Sequence, residues 1–153
     1  MKIKYLEFLA KNANVFSVIH EPLKGCTIDE LELIVRYYNC HVPICYLELM
    51  YLGGHNFFGL VNAPNYGFGY KNTQILQDQL KLLLMKVNRY TGREIALCCM
   101  DDYFWFILCE DGNDPPIRYY SEDTGKVEII YQSISEMVKE MIKEYKDFYK
   151  IQS

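Results

Sequence analysis

No apolar stretch of the 153-residue chain approaches membrane-spanning length. The best candidate, Leu80–Val87 (LKLLLMKV), is broken by lysines, and a span needs about 20 apolar residues. The opening segment, Met1 to Asn14, is amphipathic with Lys2, Lys4, Glu7 and Lys11 and has no apolar h-region, so no signal peptide or membrane contact is expected. Basic residues are scarce: 16 Lys and Arg stand against 20 Asp and Glu, for a formal net charge of -4. A nucleic-acid binder needs the opposite bias. There is no GxxxxGK[ST] loop and no strand–GxGxxG–helix, which leaves no phosphate cradle to assign. Paired short cysteine spacings are also missing, so no metal ligands and no cofactor are expected. In a chain expected to be cytoplasmic, the six cysteines should be thiols.

What is abundant is tyrosine, 14 in all. That is more than one core of this size takes, so several should be exposed, where the amphipathic ring suits binding. Acidic residues gather late, at Asp101, Asp102, Glu110, Asp111, Asp114, Glu122 and Asp123. Such a face either meets a basic partner or is simply solvated.

Length and composition fit one domain. Spacing predicts a helix over 2–12, a loop over Val15–Pro22, and a helix from Ile28 to about Asn39. Thr27 and Glu30 open the latter as a capping box, and Ile28, Leu31, Ile34, Val35 and Tyr38 follow at helical spacing. A short helix starts at Pro43, carries Tyr46, Leu47, Met50 and Tyr51 on one stripe, and stops at Gly53-Gly54, where positive φ angles would turn the chain. Asn56–Val61 reads as a buried strand. Asn62–Tyr70 reads as a loop with exposed aromatics, and Thr73–Val87 as a helix. The segments Glu94–Met100, Tyr103–Cys109, Ile117–Ser121 and Lys126–Gln132 are β-branched or aromatic and are separated by short linkers, which predicts an antiparallel meander. Ser133 and Glu136 repeat the capping box and open a last helix with Ile134, Met137, Val138, Met141, Ile142, Tyr145 and Phe148 on one face. The expected fold is α+β, one domain over 1–153, with an antiparallel sheet of about 4–6 strands flanked by helices.

Catalytic residues do not emerge. The order helix, Gly53-Gly54, strand is the reverse of a phosphate site and reads as a structural corner. Cys98 and Cys99 are strand neighbours on opposite faces. His20, His41 and His55 have no nucleophile tied to them by the sequence. Asp101-Asp102 and Glu110-Asp111 fall at turns, where carboxylates bond their own backbone.

The stretch TIDELELI, then VPICYLELMYLGG, an aromatic strand, a long helix, a strand meander and a capped final helix resembles the SUKH superfamily. That superfamily includes bacterial immunity proteins of toxin systems and is related to fungal regulators of cell-wall glucan synthesis. Ile28 with Glu32, then Pro43, Tyr46, Met50, Gly53 and Gly54, match its N-terminal signature, and DGNDPPIRYYSEDTGKVEIIYQSISEMV resembles its second half. The likeness spans about residues 27–145. It departs at Asp101-Asp102, where the family often has a glycine-bearing turn. The resemblance implies a non-catalytic protein that binds a toxin's catalytic domain, a monomer or weak dimer, and the acidic surface suits a basic nuclease. The alternative it implies is a regulatory scaffold with several protein partners. The partner surface is expected to combine Tyr66, Phe68 and Tyr70 with Asp101, Asp102, Glu110, Asp111, Asp114, Glu122 and Asp123.

Overall fold

The computed structural model describes residues 1–16, 21–57, 67–100 and 103–150. It is α+β: a four-stranded antiparallel meander, β1 (Glu94–Met100), β2 (Tyr103–Leu108), β3 (Ile117–Ser121) and β4 (Val127–Tyr131), in sequence order. Helices cover both faces. On one side α5 (Thr73–Lys86) packs Leu76, Leu80, Leu83 and Leu84 against Ala96, Cys99, Phe104, Phe106 and Tyr120. On the other, α6 (Ile134–Tyr149) and the N-terminal helices share a core with Ile95, Leu97, Cys98, Ile107 and Ile117. Cys98 and Cys99 thus serve opposite faces, as strand alternation requires, and both are buried thiols. No helix among the described residues is long and apolar enough to cross a membrane.

The capping box of α3 (Ile28–Tyr38) forms as its spacing predicts. Glu30 N–H donates to Thr27 Oγ1 and Thr27 N–H to Glu30 Oε2, and Asn39 ends the helix in the left-handed region. The second box is half of one. Ser133 accepts from Glu136 N–H, but the Glu136 carboxylate takes the N–H of Gln132 instead of that of Ser133.

Several expectations are corrected. The first helix is split into α1 (Glu7–Lys11) and α2 (Ala13–Phe16), so Val15 is helical and residues 2–6 are not. A carboxylate 42 to 44 residues away claims that opening turn: Glu48, fully buried on α4 (Ile44–Gly53), accepts the N–H groups of Lys4, Tyr5 and Leu6 at 2.7–2.8 Å. Backbone donors spent on Glu48 need no helix to satisfy them. Pro43 is the N-cap of α4, one residue ahead of its predicted place. Ile28 and Val35 face solvent, beside a depression of about 390 Å³ shared with Leu31, Glu32, Arg36 and Leu47. Ile75, Val87 and Phe148 are exposed too, Phe148 at 78 %. Asn56 forms only an isolated bridge to Lys24, Phe57 is core, and the rest of the strand predicted over Asn56–Val61 lies outside the described residues.

The Gly53-Gly54 corner is real, but its cause differs from the predicted one. Neither glycine has positive φ; Gly54 sits at φ -63 and ψ -19. What they supply is room. A Cβ on Gly53 would lie 2.5 Å from the Phe57 ring, and one on Gly54 would lie 2.4 Å from Cys26 Sγ and 2.6 Å from the Met50 carbonyl oxygen. Close approach of chain to chain is the other use of glycine.

Candidate functional site

The predicted partner residues that lie among the described ones do not form one surface. The β3–β4 turn lies at one end of the meander and the β2–β3 turn at the other. Glu110, Asp111 and Asp114 belong to the far end, and each has an internal partner. Glu110 pairs with Arg93, and Asp111 faces Arg118 in a close ion contact that lacks an aligned hydrogen bond from Nη1. Asp114 accepts from Ser135 N–H at 3.0 Å and Ser135 Oγ at 2.6 Å, holding the first turn of α6. The same loop accepts the Cys45 N–H at the start of α4 on the Asn113 carbonyl. The Asp114 carboxylate and the Asn113 carbonyl thus fasten two helix N-termini, where negative charge is favoured.

Phe68 leaves the surface as well. At 1 % exposure it packs edge-on against Tyr46 and Phe57 in the main core. Tyr70 is half-buried beside His55. Tyr66, Asp101 and Asp102, like His20, lie outside the described residues. Glu122 and Asp123 remain exposed at the β3–β4 turn.

Next to that turn lies a surface that the sequence reading did not single out. Alternation puts Tyr103 and Trp105 of β2, Tyr119 of β3 and Tyr131 of β4 on the α6 side of the sheet. There Ile107 and Ile117 are fully buried, while the four aromatics are only half-buried. Tyr103 and Tyr119 stack with ring centroids 5.0 Å apart, and Trp105 meets Tyr131 edge-on at 5.8 Å. Glu128, cross-strand from Tyr119, is exposed. Desolvation, and then a hydrogen bond with Tyr103, push the Tyr119 phenol above its ordinary value. It is a neutral ring with a polar tip at physiological pH. The missed signal is the sequence IRYYS: only one of two adjacent strand tyrosines can face the α5 core, and Tyr120 does so.

A second cluster gathers at the glycine corner. Cys26, Glu30 and His55 bring their ligand-type atoms within 4.8 Å of one another. His55 Nε2 lies 3.0 and 2.9 Å from the two Glu30 oxygens, and the Thr27 N–H donates to the same carboxylate. The His55 contact first, and the Thr27 bond second, hold the Glu30 carboxyl below its ordinary value. Burial, with the Glu30 charge second, pushes the Cys26 thiol up to about 12. As a bare thiol it is a poor nucleophile. The sequence reading found no histidine tied to a cysteine; the fold ties His55 to Cys26 by laying two segments side by side. Lys24 O accepts the N–H groups of His55 and Asn56 at 2.8 and 2.9 Å, and the Cys26 N–H donates to Met50 O at 2.9 Å.

No protein-family model matches the chain, and no curated protein compared with it is similar enough to count as a relative.

Proposed function

We propose that the chain is a non-catalytic protein-binding domain of the SUKH immunity type, which holds and blocks the catalytic domain of a toxin. The observation that carries this reading is the aromatic face of the sheet beside an acidic turn. Tyr103 and Tyr119 stack while half-exposed, Glu128 is exposed cross-strand from Tyr119, and Glu122 and Asp123 are exposed at the adjoining β3–β4 turn. Aromatic side chains are the usual anchors of an interface because they desolvate a large area at small entropic cost. A rim of one charge sign selects the partner and speeds encounter. The partner this face suits is a basic protein surface, as a nuclease domain offers.

The test pairs the chain with the product of the adjacent gene. Co-expression should yield a complex and relieve toxicity. The double variant Tyr103→Ala/Tyr119→Ala should bind about 30-fold more weakly, the size of one hot-spot loss. Neither a complex nor rescue with the wild-type chain would sink the reading. Full affinity in the double variant would move the interface elsewhere and remove its structural support.

A further inference from the structure

We propose that Cys26, Glu30 and His55 bind a borderline divalent cation, with zinc the best fit, through one sulfur, one carboxylate oxygen and one imidazole nitrogen. This cluster is separate from the aromatic face, and the inference does not rest on the protein-binding reading.

The donor set suits the ion. Zinc accepts thiolate at about 2.3 Å and imidazole or carboxylate at about 2.0–2.2 Å, which sets tetrahedral ligands roughly 3.3–3.6 Å apart. The three atoms already lie within 4.8 Å of one another. Closing the widest gap takes little more than about 1 Å. Their orientation is fixed by neighbours, as metal ligands require. Thr27 donates to Glu30 from both its N–H and its hydroxyl. The backbone bonds of Lys24 and Met50 hold the segments of His55 and Cys26. Gly54 makes the site possible: any β-carbon there would occupy the space of Cys26 Sγ. Gly25 has the same function one step away, since its Cβ would lie 1.5 Å from the Tyr51 carbonyl oxygen.

Binding would send the thiol proton to solvent, and His55 would present the lone pair of Nε2 while keeping its proton on Nδ1. Cys26 is buried, whereas the His55 and Glu30 side chains are about one-fifth exposed, at 20 % and 24 %. The fourth position therefore opens toward solvent, for a water or for a side chain from outside.

The experiment uses the full chain, stripped with a chelator and titrated with Co²⁺ and then Zn²⁺. A near-ultraviolet thiolate-to-cobalt band should grow to one equivalent and vanish on zinc addition, with a rise in melting temperature. Cys26→Ser should abolish the band. His55→Gln keeps a hydrogen-bonding partner for Glu30, so it should fold, and it should weaken cobalt binding at least tenfold. A wild-type chain without the band overturns the site, as does a band of unchanged affinity in His55→Gln or any band in Cys26→Ser. Should Cys26→Ser fail to fold, the His55→Gln titration decides alone.

Discussion

The β2–β3 turn (EDGNDPP) and the β3–β4 turn (EDTG) read alike: acidic residues and a glycine between two strands. Both glycines hold positive φ, Gly112 at 90° and Gly125 at 64°, so the backbone chemistry is shared. The carboxylates behave differently. In the first turn Glu110, Asp111 and Asp114 are all engaged within the fold. In the second, Glu122 and Asp123 are exposed; Glu122 borders a shallow depression with Lys86 of α5, but neither carboxylate forms an ion pair or side-chain hydrogen bond among the described residues. What separates the two is what lies across from them. The first turn meets the starts of α4 and α6, which carry unsatisfied N–H groups. The second lies at the other end of the sheet, beside the aromatic face. Local composition fixes the turn, and only the tertiary neighbour decides whether its charge belongs to the fold or to a partner.

The comparison predicts an order of stability losses. Asp114→Ala removes two acceptors at the start of α6 and leaves the Ser135 N–H without its partner, which should cost about 2 kcal/mol in urea unfolding. A loss below about 0.5 kcal/mol would place Asp114 with the solvated carboxylates. Next comes the Asp111–Arg118 contact, whose side chains are 25 % and 17 % exposed. A double-mutant cycle with Asp111→Asn and Arg118→Gln should give a coupling of about 1 kcal/mol, more than an open surface pair and less than a dry one. Coupling near zero would show that the Asp111–Arg118 contact adds nothing to the hold that the other contacts have on the far turn.

How much of this was legible depended on the distance between cause and effect along the chain. The Thr27–Glu30 box spans three residues, and the meander follows from strand and turn chemistry within a few residues. Both could be read directly. Glu48 could not: on its helix it resembles any surface glutamate, and its partners are 42 to 44 residues upstream. Phe68 sits among glycines and asparagines, which signal a loop, yet the core needs a ring between Tyr46 and Phe57. Gly53 and Gly54 were readable as a corner but not as clearance, because the atoms they make room for, on Phe57 and Cys26, lie in other segments. The cation cluster shares that invisibility. Its spacing of 26, 30 and 55 follows no ligand motif, since the second segment arrives through the pairing of Lys24 with Asn56.

The smallest stability effect, and the sharpest contrast, should come from reversing the free turn. Glu122→Lys/Asp123→Lys changes the net charge by four units but touches no ion pair or cap among the described residues. Its unfolding free energy should stay within about 0.5 kcal/mol of the wild type. Binding should change instead. Association with the basic adjacent-gene product should slow by about tenfold at low ionic strength, because the steering field near the aromatic face has been inverted. The difference should shrink as salt is added and the Debye length falls to a few ångströms. Reversal of Glu110, which pairs with Arg93 at the far end, should leave that rate nearly unchanged. Stopped-flow association at two salt concentrations separates the cases. If both reversals slow association alike, net charge alone steers the partner and the two turns are equivalent in function. If only the Glu122/Asp123 reversal does, the end of the sheet bearing Tyr103 and Tyr119 is the end the partner approaches.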